Sequence, residues 1–363
     1  MTTIRDVAER AGVSRSTVSR YISHQGYVGP DARARIAAAI EDLAFVPNAM
    51  ARGLKTRRSG LVALLVPEIV NSFYTTISRG VEDVANEHGL HVIVGNTDED
   101  IAKEQTYVDL MIAFQIDGVI VASAGRTAWP LRALLQKQIP TVLIDRQVAG
   151  FDADLVQGDN FEGTVALTRH LLSLGHRQIA FVNGDLDTSV AREREAGFRR
   201  ALHDTDVLPD EDLISAGRWF IDDAEQRTAQ LIACGRPFTA MFAANNFMAI
   251  GALRALRASG LRVPEDIALV CFDDLEQAAE IDPFLTVMAQ PAYTMGTLAM
   301  QLLFERIDGK YLGSSRVLTL SPRLLVRRSC GAGLAGGVPE RESSERTSTP
   351  GETTAVALAA RLM

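Results

Sequence analysis

Residues 3–23 read TIRDVAERAGVSRSTVSRYIS. Ile4, Val7, Ala8 and Ala11 recur at i, i+3, i+4 and i+7, which sets their apolar side chains on one face of a short helix. Gly12 then stops it, supplying the left-handed backbone that a tight turn needs. Ser14 stands where its hydroxyl can cap a second helix over Arg15 to Tyr21. Val18, with Tyr21 or Ile22, faces the first helix, which leaves Arg15, Ser16, Thr17, Ser19 and Arg20 for the exposed side. A third helix over Pro30 to Leu43 has Pro-Asp in its first turn and Ile36, Ala39, Ile40 and Leu43 on one side, completing a small three-helix core.

The outward residues of the second helix are the types that bind phosphates and base edges. Arginine can bond guanine through two parallel hydrogen bonds, and serine or threonine reaches several edges or the backbone. Arg15 and Ser16, at the N-terminal end, are the candidates for base reading. An ordinary solvated helical hairpin would share this composition, so charge has to be weighed as well. The chain of 363 residues carries −8 overall, yet residues 1–58 hold ten Lys+Arg against five Asp+Glu, a net of +5. The remainder, with 27 basic and 40 acidic residues, carries −13. A basic module joined to an acidic sensor has this asymmetry.

Beyond the third helix comes Phe45-Val46-Pro47-Asn48, then a short basic run through Leu54 and Lys55 to Arg58. Pro47 can begin a helix and Asn48 can help cap it, while Gly53 costs about 1 kcal/mol of helix stability relative to alanine. Residues 3–23, the third helix and VPNAMARGLKTRRSGLVALLVP (residues 46–67) together resemble, in order and spacing, the headpiece and hinge of the lac repressor family of bacterial regulators. That resemblance implies a hinge that folds on the operator and wedges Leu54 into the minor groove, kinking the DNA. It implies DNA binding through Arg15, Ser16, Thr17, Ser19, Arg20, Asn48, Leu54 and Lys55.

From Gly60 onward short apolar runs alternate with amphipathic segments. Leu61 to Val66, Leu90 to Val94, Gly118 to Ala122, Thr141 to Ile144, Ile179 to Val182, Ala240 to Ala243 and Ile267 to Phe272 read as buried strands. Thr76 to His88, Ile101 to Phe114, Thr164 to Leu174, Ala191 to His203 and Met248 to Gly260 read as helices between them. Such β-α repetition predicts doubly wound parallel sheets, and its length predicts two lobes with a cleft between them. The expected fold is therefore a small all-α headpiece (1–46), a hinge (47–58) and a two-lobed α/β effector and dimerisation domain (59–330), with a disordered tail at 331–363.

The resemblance extends to about Cys330 through NSFYTTISRGVEDVANEHGL, IPTVLIDR, LGHRQIAFVNG, FAANNFMAIGALRAL and GLRVPEDIALVCFDD. It implies a periplasmic-binding-protein fold whose chain crosses between lobes near Asn160, Pro291 and Ser321. It implies effector contacts at Phe73, Asp145, Arg146, Arg194, Trp219, Asn245 and Asp273. Carboxylates and amides can accept from hydroxyls, arginine donates, and an aromatic ring stacks on the apolar face of a sugar. Capping by Asp145 and Asp273, surface pairing of Arg194 with Glu193 or Glu195, and core packing of Trp219 are the plainer roles for these residues. One departure from the family pattern stands out: Asn245-Asn246 replaces the commoner Asn-Asp or Ser-Asp, removing a carboxylate beside the cleft.

The N-terminus has no basic-then-apolar leader and no apolar run approaches about 18 residues, so a cytoplasmic protein without membrane contact is expected. Cys234, Cys271 and Cys330 lack paired spacing and read as buried, quiet thiols. His176, after Gly175, can satisfy or charge-complement a helix C-terminus; with His170 it is six residues apart and on another face, so no metal is expected. No phosphate loop or nucleophile elbow is present, and neither an enzyme nor a cofactor is expected. The tail, rich in Gly, Ser, Thr and Glu, shows no leucine heptads, which favours a homodimer over a tetramer. A sugar-responsive repressor on pseudo-palindromic operator DNA is the first reading; a purine-responsive one, or a metabolite-binding protein with a non-functional headpiece, are the alternatives.

Overall fold

A computed structural model describes residues 2–23, 26–45 and 58–333. Asn48, Leu54 and Lys55, and the tail from residue 334, lie outside the described residues. The first unit is three helices: α1 (Ile4–Ala11), α2 (Arg15–Ser23) and α3 (Pro30–Asp42). Thr3 and Asp6 form a reciprocal capping box at the start of α1, and Gly12 ends it at φ +65°. Val7, Ala8, Ala11, Val18, Val28, Ile36 and Ala39 are the buried core, with Tyr21 and Ile22 packed against it.

The remainder forms two six-stranded sheets. The first takes β1 (Leu61–Val66), β2 (His91–Asn96), β3 (Gly118–Val121), β4 (Thr141–Ile144), β5 (Asp154–Gly158) and β11 (Val317–Leu320) in the order β11-β5-β4-β3-β1-β2, all parallel. The second takes β6 (Ile179–Asn183), β7 (Ile214–Ala216), β8 (Ala240–Ala243), β9 (Ala268–Phe272), β10 (Thr286–Ala289) and β12 (Arg323–Leu325) in the order β12-β10-β9-β8-β6-β7, with only β12 antiparallel. The chain passes between the sheets after β5, after β10 and between β11 and β12.

The helices are α4 (Ser72–Glu87), α5 (Ile101–Ala113), α6 (Arg132–Gln136), α7 (Asn160–Ser173), α8 (Ser189–His203), α9 (Ile221–Ala233), α10 (Asn246–Ala258), α11 (Glu276–Ile281) and α12 (Ala292–Ile307). Alternation along β1 divides the first lobe's core: Val62, Leu64 and Val66 pack with α4 and α12, whereas Ala63 and Leu65 pack with α5 and α6. Each such fully buried Val or Leu contributes about 1.5–3 kcal/mol. The approach of α4 to α12 is backbone on backbone. A Cβ at Gly296 would stand 2.2 Å from the Ile77 carbonyl, and one at Gly80 would stand 2.4 Å from that of Tyr293.

The linker enters the first lobe at a defined seat. Asp117, just before β3, accepts from the backbone N–H groups of Ser59 (2.7 Å) and Gly60 (2.9 Å) and from the Ser59 hydroxyl. Arg58 donates to the Ile307 carbonyl at 3.0 Å and to Asp308, at the C-terminal end of α12. Among the described residues no helix is long and apolar enough to cross a membrane.

All the runs read as strands are strands, with ends shifted by a residue or two. Several elements were not anticipated. β5, β7, β10, β11 and β12 are short or end in polar residues. α12 is apolar nearly all round and presents no single stripe for a periodicity to reveal. The thiols also differ from expectation: Cys271 and Cys330 are buried, but Cys234 is exposed at the end of α9.

Candidate functional site

The headpiece presents α2 as a surface helix. The Ser14 hydroxyl accepts from the Thr17 N–H at 3.2 Å and lies 2.8 Å from both the Ser16 and Thr17 hydroxyls. Arg15, Ser16 and Arg20 are exposed. Thr17 and Ser19, expected on the open face, are half-buried, because the Ser14 cap draws the Thr17 hydroxyl into the turn and Val18 carries its neighbours toward the core.

The cleft lies beyond the carboxyl ends of the strands. Asp145 directly follows β4 and Asp273 directly follows β9, both buried and both at positive φ, +66° and +67°. Few non-glycine residues adopt that backbone, and strain of this kind persists where surrounding structure enforces it. Here each backbone N–H is bonded to the adjacent strand, Asp145 to the Val156 carbonyl at 2.8 Å and Asp273 to that of Met288 at 3.0 Å.

The side chains converge. Tyr74 donates its hydroxyl to Asp145 Oδ2 at 3.0 Å, leaving Asp145 Oδ1 buried without a partner. Arg146 forms a two-pronged pair with Glu99, at 2.6 and 2.7 Å, and donates to the Ser123 carbonyl, while its Nε makes no hydrogen bond and lies 3.8 Å from Asp145 Oδ2. Arg194, the largest fully buried side chain, donates to Asn160 Oδ1 at 2.9 Å and to the Ala244 carbonyl, and lies 3.7 Å from Asp273. Its guanidinium sits 3.8 Å above the Phe272 ring. Trp219 is 6% exposed, its Nε1 unpartnered and its ring against Gly184, where a Cβ would collide at 2.1 Å. Asn245 caps α10 through the Met248 N–H at 2.8 Å.

Electrostatics follow from burial. Removal from water raises the Asp145 carboxyl above its ordinary range, against the pull of Arg146 and Arg194. Burial also raises Asp273, to about 6, although Arg194 and a 2.7 Å hydrogen bond from Gln290 oppose it. Burial works against the charge on Arg146, yet its pKa is raised because Glu99 holds the proton in place. The His176 N–H donates to the Leu171 carbonyl at 3.2 Å and so satisfies the C-terminal end of α7, while burial lowers the pKa of its imidazole, whose Nδ1 lies 2.9 Å from the Thr239 hydroxyl.

Phe73, Asp145, Arg146, Arg194, Trp219, Asn245 and Asp273 line one cleft with about 370 Å³ of empty space, including its opening to solvent. Glu68, Asn71, Tyr74, Glu99 and Val190 line it as well and were not singled out from the sequence. The signal for Tyr74 lies in the start of α4: Asn71 caps it by accepting from the Phe73 N–H at 3.0 Å, so the helix begins at Ser72, four residues ahead of the Thr76 start that periodicity gives.

Residues 3–48 match the family described as bacterial regulatory proteins, lacI family, and residues 168–330 match the periplasmic binding protein-like domain. A ribose operon repressor of Halalkalibacterium halodurans is 34% identical over 333 residues, 92% of this chain and 98% of that protein. The chain belongs to the lacI family of bacterial regulatory proteins. This lacI-family regulator is also similar in structure to a lac repressor dimer bound to operator and the anti-inducer ONPF, with TM-score 0.77, 28% identity and coverage of 91% of this chain and 99% of that one. A transcriptional regulator CelR in complex with cellobiose gives TM-score 0.69 at 33% identity, covering 91% of this chain and 100% of that chain.

Proposed function

We propose that this lacI-family regulator is a homodimeric repressor whose headpieces read a pseudo-palindromic operator and whose cleft binds an uncharged sugar. The observation that carries the effector class is the set of polar atoms left unmatched in the cleft. Asp145 Oδ1 is an acceptor, whereas Arg146 Nε and Trp219 Nε1 are donors. A hydroxyl gives and takes hydrogen bonds, so a polyol can satisfy both kinds at once, and leaving such groups unmet costs about 1–3 kcal/mol each. Charge supports a neutral ligand. Glu68, Glu99, Asp145 and Asp273 line the cleft against Arg146 and Arg194, and Glu99 already engages Arg146.

For DNA, Arg15 and Ser16 at the N-terminal end of α2 are the base-reading residues and Arg20 a phosphate contact; Thr17, bonded to the Ser14 cap, and the half-buried Ser19 flank them. Asn48, Leu54 and Lys55 complete the proposed contact set in the hinge. One headpiece reads a half-site, so two copies bind the full operator.

The test is thermal unfolding of the full chain against neutral sugars, sugar acids, sugar phosphates and purines. At one hundred times its dissociation constant a ligand adds about 2.7 kcal/mol. The expected result is a shift with one class of neutral sugar that disappears in Asp273→Ala and changes operator affinity. A shift given by sugar phosphates or purines alone would overturn the neutral-sugar reading.

A further inference from the structure

Asn71 belongs to the first lobe, where it caps α4, and Asn246 is the first residue of α10 in the second. Their side chains meet across the cleft edge in a closed pair. Asn71 Nδ2 donates to Asn246 Oδ1 at 3.0 Å, and Asn246 Nδ2 donates back to Asn71 Oδ1 at 2.9 Å. Both residues are buried. The orientation of each amide is set independently of the other. The Phe73 N–H points at Asn71 Oδ1 (3.0 Å) and the Phe247 N–H at Asn246 Oδ1 (2.8 Å), so an oxygen has to occupy each of those places.

The surroundings of Asn246 select an amide over a carboxylate. Its Nδ2 also faces the Ser72 hydroxyl and the Asp274 carbonyl, each at 3.3 Å. An aspartate there would turn a second oxygen onto the Asp274 carbonyl and Asn71 Oδ1, neither of which can donate, in a region already holding the Asp273 and Asp274 carboxylates. Arg327, the cation beside Asp274, is taken up in a two-pronged pair with it. This gives a physical reason for the Asn-Asn pair that departs from the family pattern.

The other polar contacts between the lobes are exposed or single. Arg126 and Asp187 pair at 3.2 Å with side chains 56% and 65% exposed, where ion pairs contribute little. The Gln147 N–H donates to the Ser189 hydroxyl at 3.0 Å, a single neutral bond.

We propose that Asn71 and Asn246 form a neutral latch that closes the two lobes over the cleft, by an interaction that needs nothing bound between them. The latch sets the fraction of molecules in the closed arrangement, and that fraction scales the apparent affinity of any ligand selective for it. Its regulatory meaning rests on the cleft being the effector site; its structural test uses no effector, so the two readings fail separately.

The experiment uses the full chain in a Trp129→Phe background, in which Trp219 is the sole tryptophan and reports on the cleft. Acrylamide quenching and the radius of gyration by small-angle scattering are compared for Asn71→Asp and Asn246→Asp, with circular dichroism as the check on folding. Each replacement keeps the oxygen that its backbone N–H requires and removes one donor from the pair. Both are expected to shift the lobes toward the open arrangement by roughly 5- to 150-fold, seen as stronger quenching and a larger radius. A folded variant at either position with unchanged quenching and radius overturns the latch. If an aspartate variant does not fold, Asn71→Ala, Asn246→Ala and the double variant decide: the latch requires the double to be no more open than the singles, and additive opening refutes it.

Discussion

Asp145 and Asp273 occupy equivalent places in the two lobes: each is the first residue beyond a buried parallel strand, each has its N–H on the neighbouring strand, and their φ angles are +66° and +67°. The left-handed backbone costs a residue with a Cβ about 1–2 kcal/mol. At both positions the glycine variant is therefore expected to be more stable than the alanine variant by about 1 kcal/mol, since both lack the carboxylate and only alanine keeps the strain. Chemical denaturation of the four variants measures this; equal stabilities would show that the backbone there is unstrained.

The raised carboxyl of Asp273 makes a pH prediction with a definite sign. Its folded value of about 6 exceeds the ordinary 3.8, so the folded state holds this proton more tightly than the unfolded chain. The associated stability is fully present below 3.8 and is lost as pH rises through about 6, by up to about 3 kcal/mol. Asp145, also raised by burial, acts in the same direction. Denaturation profiles of the wild type and Asp273→Asn should diverge across that window, and parallel profiles would refute the assignment.

Ser14 caps α2 and its neighbour Arg15, exposed on that helix, is the proposed base reader. Ser14→Ala removes the cap of α2 and is expected to cost about 1 kcal/mol of headpiece stability. Arg15→Ala leaves stability unchanged and relaxes selectivity at one operator position by about 1–3 kcal/mol. Calorimetry of unfolding and binding to single-position operator variants distinguish the two. A stability loss in Arg15→Ala larger than in Ser14→Ala would reverse these roles.

Gly296→Ala would drive a Cβ into the Ile77 carbonyl at 2.2 Å, which no rotamer can relieve. A loss of about 3 kcal/mol is expected. A variant that unfolds at the wild-type midpoint would mean that α4 and α12 part easily.

The sequence was most informative where pattern and chemistry coincide. The headpiece helices and the strands Leu61–Val66, Thr141–Ile144 and Ala240–Ala243 are apolar, β-rich or evenly periodic and were placed closely. The seven cleft residues came from resemblance, and periodicity alone would have reached none of them. Glu99 was missed because its approach to Arg146 is made by a loop with two successive positive φ angles, at Asp98 and Glu99, which no pattern announces. Asn246 is a departure from the family pattern that the sequence itself displays, but its partner lies 175 positions away, and such a pairing exists only once the lobes are folded.

The seat of the linker has a mechanical implication. Gln290, which holds Asp273 at the cleft, immediately precedes the turn into α12, and Asp308 at the far end of that helix holds Arg58. A 16-residue helix is a strut about 24 Å long, locked against α4 by the Gly80 and Gly296 contacts. A tilt imposed on the cleft end of α12 would be delivered as a displacement of residues 58–60, where the linker to the headpiece begins. Loosening that foot at Asp117 or Asp308 should leave ligand and DNA each bound as well as before, and deaf to one another.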